Sequence, residues 1–360
     1  MCDARKILSN NGYEVKGMLS SGAHGDCLSV KENNIAYIIK AYKDNDKQEA
    51  IHEEGIYLKI HADGLGKDYL FKARHIEYDN SFFLQLDTYE GQTLDEFFSK
   101  NAEEKSIIEK IDVLINACKT ISYLHRDGFL HMDIKLSNFY ISNNGVIKPI
   151  DMGSAVELSK KEDDNKKDDT NKTEDDFNKI MEDLGYLSTG SYASFKVKSF
   201  NKLRNEYLDF KTDDGKYLLS DEEKQLLIDL SEKISVEDDI YSLISAIFKA
   251  LTGLVLGIDV KFDKTNIKGA LEESKIPVYL TDRLCDLFLE LRESNESINA
   301  KVSFNSVQEL IKELNVIKAI AETRGFHPEI MLKKAMEYSE INFNDIDIDE
   351  DLLTNIEKVE

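Results

Sequence analysis

Two short polar motifs separated by a predicted β-hairpin constrain this chain more than any other part of its sequence. The first motif, residues 131–138, reads His-Met-Asp-Ile-Lys-Leu-Ser-Asn, and the second, residues 151–153, reads Asp-Met-Gly. Apolar, strand-forming residues lie between the motifs, on both sides of a Ser-Asn-Asn-Gly turn at residues 142–145. A loop, a hairpin and a second loop in this order should bring four polar side chains together, namely Asp133, Lys135, Asn138 and Asp151.

These four side chains supply what phosphoryl transfer to a hydroxyl group requires. An aspartate can accept the hydroxyl proton, a lysine can neutralise a terminal phosphate, and amide and carboxylate oxygens can hold Mg²⁺. The two motifs resemble the catalytic loop (H-R-D-x-K-x-x-N) and the metal-binding motif (D-F-G) of Hanks-type protein kinases. The resemblance implies that Asp133 and Lys135 are catalytic and that Asn138 and Asp151 bind Mg²⁺.

The resemblance covers about residues 13–320 and implies an α+β, bilobal, protein-kinase-like fold. A small, β-rich N-lobe with one main helix is expected at residues 1–89, with the hinge at its end. A larger, mostly helical C-lobe is expected at residues 90–320, and a helical extension with an acidic tail at residues 321–360. A long acidic insertion is expected in the activation segment, at about residues 157–186.

The N-terminal part contains a sequence similar to the kinase glycine-rich loop. Gly22 and Gly25 match two of the family's three glycines, which let backbone N–H groups approach the phosphates of ATP, and Ser20 replaces the first. One strand later, Tyr-Ile-Ile-Lys at residues 37–40 is similar to the family's V-A-I-K. The resemblance implies that Lys40 contacts the α- and β-phosphates of ATP.

The adenine pocket can be placed by the same resemblance. Cys27 and Ile38 are expected on its ceiling, where the family usually has a valine and an alanine. Leu86 is expected at the back of the pocket, and Asp87 to Tyr89 are expected to form the hinge on which adenine binds.

A helix is predicted over residues 47–62, with Leu58 on its apolar face. In protein kinases, a glutamate on this helix pairs with the lysine that here is Lys40. Glu54 is the predicted partner, because Leu58 follows it by four residues as in the family pattern. The sequence leaves two alternatives open, Glu49 and Glu53.

Several residues depart from the family pattern. Met132 replaces the arginine of H-R-D, which in many kinases meets a phosphate of the activation loop, so activity should not require phosphorylation there. Lys196 replaces the glutamate of A-P-E, and its expected partner, Lys301, would repel it. Asp239 is expected to anchor the backbone of the catalytic loop, as in the family.

The overall charge restricts the partners of the chain. A net charge of −23 argues against nucleic acids and anionic membranes, and suggests basic protein substrates. The four cysteines are scattered, which fits a reducing compartment. No apolar run reaches the length of a membrane span and no signal peptide is evident, so we expect a cytoplasmic location where the protein is made. Export without a classical signal peptide remains an alternative.

The predicted function is that of an ATP-dependent phosphotransferase, a Ser/Thr protein kinase that uses ATP and Mg²⁺ and acts on a protein substrate of unknown identity. Three alternatives remain open at the level of sequence. They are a kinase-fold phosphotransferase that acts on small molecules, a pseudokinase scaffold without turnover, and an enzyme that transfers AMP.

Overall fold

The structure is a computed structural model that describes residues 4–21, 25–42, 47–62, 66, 69–100, 105–158, 192–209 and 220–324. Gly22, the acidic insertion from residue 159 onward and the segment after residue 324 lie outside the described residues. The predictions that concern them therefore remain predictions.

The N-terminal part is a five-stranded antiparallel sheet with one main helix. A short helix, α1 (Ala4–Asn10), precedes the sheet, and α2 (Lys47–Ala62) lies between its third and fourth strands. The strand order is β1-β2-β3-β5-β4. The strands are β1 (Glu14–Ser21), β2 (Gly25–Glu32), β3 (Ile35–Tyr42), β4 (Ala73–Tyr78) and β5 (Ser81–Asp87).

Local sequence explains two of the hairpins in this sheet. Strands β2 and β3 are joined at Asn33 and Asn34, with φ angles of 51° and 65°, and β4 and β5 are joined at Asp79 and Asn80, with 51° and 59°. Two consecutive left-handed residues form the turn that matches the twist of a hairpin, and asparagine and aspartate tolerate it best after glycine. These turns fix the register that places Lys40 on the central strand β3.

The chain then becomes mostly helical. Helix α3 (Leu94–Ser99) and the long helix α4 (Ile107–Arg126) follow strand β6 (Gly91–Thr93). Six further helices and a single-turn helix complete the described C-terminal part. They are α5 (Phe195–Asp209), α6 (Asp221–Glu232), α7 (Val236–Thr252), α8 (Lys264–Glu273), α9 (Val278–Leu289), the single turn α10 (Leu291–Ser294) and α11 (Val307–Thr323).

Short strands hold the two polar motifs in place. β7 (Phe129–Leu130) enters the first motif and pairs with β10 (Val156–Glu157), which follows the second. Between the motifs, β8 (Phe139–Ser142) and β9 (Ile147–Pro149) form the predicted hairpin, and β8 also pairs with β6. The two motifs are therefore fixed to the same small set of strands.

Helix α7 is the centre of the helical part. Its side chains are buried along most of its length, including Asp238 and Asp239 in its first turn. Helices α4 and α11 pack together in antiparallel fashion, with Lys318 Nζ 2.6 Å from Asp112 and Gln308 bonded to Ser122. The predicted α+β division, a small sheet with one main helix followed by a mostly helical part, is confirmed. Within the described residues, no helix has the length and apolar character that crossing a membrane requires.

Candidate active site

The carboxylate of Asp239 anchors the backbone of the first polar motif. Its two carboxylate oxygens accept hydrogen bonds from the backbone N–H groups of His131 (2.7 Å) and Met132 (2.9 Å), and one of them also accepts from Nε2 of His125 (2.8 Å). Burial alone would raise the pKa of Asp239, but the bond from His125 and the loop N–H groups hold it below its ordinary value. This anchor stabilises a loop in which Met132 has a left-handed φ of 60°. The expected role of Asp239 is confirmed.

The loop brings three predicted residues together, which we call the catalytic-loop cluster: Asp133, Lys135 and Asn138. Oδ2 of Asp133 accepts hydrogen bonds from Nζ of Lys135 (2.8 Å) and from Nδ2 of Asn138 (2.7 Å). Nδ2 of Asn138 also donates to the backbone oxygen of Asp133 at 2.9 Å. Oδ1 of Asp133 has no hydrogen-bond donor among the described residues, so it is available to a substrate hydroxyl.

A second group, which we call the buried ion cluster, consists of Lys40, Glu53 and Asp151. Nζ of Lys40 lies 2.7 Å from Oε2 of Glu53 and 2.8 Å from Oδ1 of Asp151. The exposed fractions of these side chains are 3%, 0% and 22%, so only Asp151 opens to solvent. Burial alone would lower the pKa of Lys40, but the carboxylates of Asp151 and Glu53 raise it above its ordinary value.

Glu53 links helix α2 to strand β3 and to the second polar motif. Besides Lys40, its carboxylate accepts hydrogen bonds from the hydroxyl of Tyr42 (2.8 Å) and from the backbone N–H of Met152 (3.0 Å). A buried carboxylate is tolerated when its oxygens accept several hydrogen bonds from a cation and from neutral donors. The contact with Tyr42 was not predicted, although Tyr42 stands two residues after Lys40 and therefore on the same face of β3.

The prediction that Glu54 pairs with Lys40 is wrong, because the buried face of α2 is rotated by one residue from the predicted one. Glu54 instead hydrogen-bonds the backbone N–H of His75 at 3.1 Å and contacts its ring. Leu58, on which the prediction rested, is 55% exposed, whereas Tyr57, four residues after Glu53, is fully buried. One residue is a rotation of about 100° on a helix, which moves the chosen glutamate out of the core.

The residues predicted to line the adenine pocket lie in the sheet as a connected group. Cys27 is directly opposite Lys40 in the β2–β3 ladder, and Ile38 is directly opposite Leu86 in the β3–β5 ladder. Because directly paired residues and residues two apart share a face, all four point to the same side of the sheet. Cys27, Ile38 and Leu86 are buried. Burial raises the pKa of the Cys27 thiol to about 12, so this cysteine is a poor nucleophile.

Close approach of neighbouring atoms explains two glycines of the site. A Cβ atom on Gly25 would lie 2.3 Å from the carbonyl oxygen of Ala41, so β2 can pair here only through a glycine. A Cβ atom on Gly153 would lie 3.2 Å from Nζ of Lys40 and about as close to the carboxylates of Asp151 and Glu53. Gly153 thus leaves space for the buried ion cluster.

The predicted hinge connects the sheet to the helical part. Asp87 ends β5 and donates its N–H to the backbone oxygen of Lys72. The backbone oxygen of Tyr89 accepts a hydrogen bond from the hydroxyl of Tyr140 at 3.1 Å, while the Tyr89 side chain is 64% exposed. The hinge is therefore tied to β8, the strand that follows the catalytic loop.

The oxygens that remain available fit the Mg²⁺ ion implied by the resemblance. The amide of Asn138 uses its nitrogen for Asp133, which leaves its oxygen for another partner, and Oδ2 of Asp151 has no donor among the described residues. No three His, Cys, Asp or Glu side chains of the described residues form a metal-binding group by themselves. A small number of protein oxygens is what Mg²⁺ needs when phosphate oxygens and water complete its coordination. Asn138 and Asp151 thus fit an ion that arrives with a nucleotide.

The environment of Met132 was not predictable from the motif alone. Its side chain is 5% exposed and belongs to an apolar cluster with Ala193, Val197 and Phe200, which join α5 to the catalytic loop. A charged arginine at this position would have no solvent and no anionic partner in that cluster. The apolar surroundings of residue 132 therefore suit methionine and would not suit arginine.

The expected repulsion between Lys196 and Lys301 does not occur. Nζ of Lys196 lies 2.9 Å from Oδ2 of Asp238, and Nζ of Lys301 lies 3.2 Å from Oε1 of Glu237. Both lysines thus pair with acidic residues in the first turn of α7, where negative charge is also favoured by the helix dipole. The prediction was wrong because it assumed that Lys196 keeps the partner of the family glutamate.

Comparison with known proteins agrees with this geometry. The family model of the protein kinase domain matches residues 13–178. A Dictyostelium discoideum protein named a probable protein kinase is 24% identical over 311 residues, which are 83% of this chain and 37% of that protein. The ribosomal protein S6 kinase 2 alpha of Gallus gallus is 29% identical over 43% of this chain and 21% of its own length.

A serine/threonine-protein kinase of Sulfolobus acidocaldarius is 22% identical over 42% of this chain and 30% of that protein. The chain therefore spans well under half the length of each of these three relatives. The matched region contains the glycine-rich loop, Lys40, the catalytic-loop cluster and Asp151. Residues 13–178 thus match the protein kinase domain, in agreement with the fold, and the chain is similar to distant Ser/Thr protein kinases.

Proposed function

We propose that this chain is an active protein kinase that transfers the γ-phosphate of Mg-ATP to a serine or threonine hydroxyl of a protein. The observation that carries the proposal is the presence of two complete, mutually oriented groups, the catalytic-loop cluster and the buried ion cluster. Scaffold proteins that lack turnover have no need to keep a buried lysine paired with two carboxylates, because burying charges is costly.

In this proposal, Asp133 orients the acceptor hydroxyl and accepts its proton. Its Oδ1 is the available atom, while Oδ2 is held by Lys135 and Asn138. Lys135 supplies a positive charge beside that carboxylate and so can stabilise the negative charge that develops on the transferred phosphoryl group. The side chain of Lys135 is 30% exposed, so it can reach a bound nucleotide.

Lys40 positions the nucleotide, and Glu53 fixes Lys40. Mg-ATP, when bound, supplies the phosphoryl group and the metal charge that draws electron density from it. The oxygens of Asn138 and Asp151 would hold the metal ion, and the sheet face with Cys27, Ile38 and Leu86 would cover the adenine. The hinge, Asp87 to Tyr89, would pair with the adenine edge.

We also propose that activity does not depend on phosphorylation of the activation segment. Met132 packs in an apolar cluster with Ala193, Val197 and Phe200, so the end of the segment is held to the catalytic loop by apolar contacts. A phosphate would find no cationic side chain at this position. Treatment of the purified protein with a phosphatase should leave its kinase activity intact.

The lobes assigned to residues 1–89 and 90–320, and the extension at 321–360, belong to the same proposal. The structural support is the change from sheet to helix after β5 and the hydrogen bond between Tyr140 and Tyr89 at the junction. Selection of serine or threonine over tyrosine rests on the similarity to relatives that include a serine/threonine-protein kinase. Phosphoamino-acid analysis of a labelled acceptor would test it.

The decisive experiment compares the native chain with Asp133→Asn and Asp79→Asn in transfer from [γ-³²P]ATP with Mg²⁺. Acceptors are a generic basic protein, an acidic protein, a panel of aminoglycosides and choline, and the enzyme alone. We expect protein labelling that falls about 10²-fold or more in Asp133→Asn, the size of a general-base contribution. Asp79→Asn should match the native chain, because Asp79 lies in the β4–β5 turn, where asparagine also adopts a left-handed φ.

Each other outcome selects an alternative. Label found only on small molecules would identify a small-molecule phosphotransferase. Nucleotide binding without any labelled acceptor would support a scaffold. Equal labelling by the native chain and Asp133→Asn would contradict the role of Asp133.

A further inference from the structure

A large cavity lies beside the catalytic loop, and no residue of the five-stranded sheet is among the described residues that line it. Its volume is about 840 Å³, and it is bounded by α3, the start of α4, the end of α7 and the connection between α8 and α9. Leu136 contributes to its wall, and this residue directly follows the catalytic Lys135. Since an extended chain advances about 3.3 Å per residue, a bound peptide could extend from this cavity to Asp133 within a few residues.

The charge of this cavity is opposite to that of the whole chain. Among the described residues, four lysines line it, against two acidic side chains, Asp95 and Glu273, although the chain carries a net charge of −23. We call it the lysine cavity, after Lys105, Lys110, Lys249 and Lys275. A concave, locally positive site concentrates negatively charged partners.

Two of these lysines lack an anionic partner among the described residues. Nζ of Lys105 donates to the backbone oxygen of Lys100 and lies 4.5 Å from the centre of the Phe97 ring. Lys110 is partly buried, and both its burial and the charge of Lys105 lower its pKa. Two cations that pair with no carboxylate in the described part of the chain form a local excess of positive charge, which a bound anion would relieve.

The third lysine connects the cavity to the catalytic loop. Nζ of Lys249 lies 3.1 Å from Oδ1 of Asp95, and Lys249 also bonds the side chain of Tyr192. Burial raises the pKa of Tyr192, while the charges of Lys249 and Lys135 act on it in the opposite direction. Tyr192 therefore lies within the electrostatic influence of both the cavity and the catalytic-loop cluster.

The cavity also offers apolar surface. Phe98, Ile107, Ile276 and Pro277 line it together with Leu136. An acidic segment that carries an apolar side chain would complement both parts of the wall, because apolar burial supplies affinity and charge supplies selection.

We propose that the lysine cavity binds an acidic segment of the protein substrate, and that this kinase therefore selects acceptor residues close to aspartate, glutamate or phosphorylated side chains. The inference rests on the proposed kinase function and specifies its substrate class. It replaces the expectation of a basic substrate, which considered only the net charge of the chain. The local charge beside the catalytic loop matters more for docking, since charges farther than about 10 Å are screened at physiological salt.

The test measures binding directly, so that it does not depend on catalysis. A fluorescein-labelled peptide with one serine, one leucine and six aspartate or glutamate residues is titrated with the full chain, without nucleotide, and its anisotropy is recorded. A matched peptide carries asparagine and glutamine instead of the acids. The variants are Lys105→Glu/Lys110→Glu and a control, Lys119→Glu, which changes an exposed lysine of the same helix α4 outside the cavity.

We expect the acidic peptide to bind the native chain and Lys119→Glu with similar affinity. Binding to the double variant should be weaker by about tenfold or more, because two attractive charges become repulsive. A peptide rich in lysine should show the reverse preference for the double variant. The milder Lys105→Gln/Lys110→Gln variant should give an intermediate loss and guards against an effect of misfolding.

The inference is overturned if the acidic and neutral peptides bind equally, or if Lys119→Glu loses as much affinity as the double variant. It is also overturned if the peptide binds only after the acids at 345, 347, 349, 350 and 351 are changed to amides in the full chain. That result would assign the cavity to the chain's own acidic residues. If binding follows the expectation but no acceptor is phosphorylated, the proposed kinase function fails while the binding site stands.

Discussion

Lys40 is a fully buried cation whose charge is balanced by two carboxylates from different parts of the chain. Glu53 comes from helix α2 and Asp151 from the loop after β9, both within 2.8 Å of its Nζ. Burial alone would raise the pKa of Asp151, but Lys40 holds it well below its ordinary value. The same contact that would place ATP therefore also contributes to folding stability.

Replacing Lys40 by methionine should destabilise the protein by about 3–5 kcal/mol at neutral pH, as expected when a buried pair loses one partner. Lys40 is 2% exposed, so solvent cannot compensate. Phosphoryl transfer should also be lost. Urea unfolding of both proteins would measure the first effect and [γ-³²P]ATP the second.

The loss of stability in Lys40→Met should depend on pH in a defined direction. In the native chain, the lowered pKa of Asp151 gives stability that is present above its unfolded-state pKa of about 4 and is lost as the pH falls through the folded-state value. Without Lys40, burial raises the pKa of both carboxyls, so their contribution is present in acid and lost as the pH rises. The difference in unfolding free energy should thus shrink from pH 8 to pH 5, and a constant difference would contradict this account.

Two buried tyrosine hydroxyls near Glu53 form a matched pair with opposite predictions. The Tyr42 hydroxyl donates to Glu53, whereas the Tyr57 hydroxyl has no hydrogen-bond partner among the described residues. Tyr42→Phe should cost about 1.5–3 kcal/mol, the usual value for a hydrogen bond to a charged group, and lower the transfer rate. Tyr57→Phe should be neutral or stabilising, because it removes an unsatisfied polar group. Equal unfolding midpoints for the two variants would contradict the assignment of Tyr42.

At the scale of elements, the bounds of helix α2 could be predicted but its buried face could not. The helix spans Lys47–Ala62, as its sequence indicates. Leu58, which was predicted on its apolar face, and the apolar Ile51 are both more than half exposed, while the charged Glu53 is fully buried. Hydrophobic periodicity cannot identify the buried face of a helix when the central residue of that face is charged.

The packing of the segment around Met132 could not be predicted from the sequence either. The sequence identifies the loss of the family arginine, but only the structure shows that the residue packs among apolar side chains of α5 and α6. Helix α5 carries a cationic residue, Lys196, where the family has a glutamate. Lys196 forms an ion pair with Asp238 of α7. Partners of this kind arise from tertiary contacts between distant residues and leave no local signal.

Met132→Arg should destabilise the protein by about 3 kcal/mol or more, because it places an unpaired charge in an apolar cluster. Met132→Leu, which nearly conserves volume, should cost less than about 1.5 kcal/mol. Urea unfolding midpoints would compare the two variants with the native chain. An arginine variant as stable as the leucine variant would show that the cluster tolerates the family residue, and would remove the support for phosphorylation-independent activity.

For the whole molecule, the sequence predicts the architecture and most of the candidate site. The α+β division and the hairpin between the two motifs follow from local patterns. The structure brings Asp133, Lys135 and Asn138 together in one loop and places Asp151 beside Lys40. Local sequence predicts such elements because short turns, such as those at Asn33–Asn34 and Asp79–Asn80, fix the register of the strands that they join. The lysine cavity could not be predicted in this way, because α3, α4, α7 and the α8–α9 connection each contribute to it.

The central claim is that the two clusters together transfer the γ-phosphate of ATP. Parallel incubations of the full chain with [γ-³²P]ATP and [α-³²P]ATP, with Mg²⁺ and a protein acceptor, test it most directly. The account predicts that the acceptor is labelled only from the γ position, and that the label disappears in Asp133→Asn. Label from the α position would show transfer of AMP instead, and would contradict the assignment of this site to phosphoryl transfer.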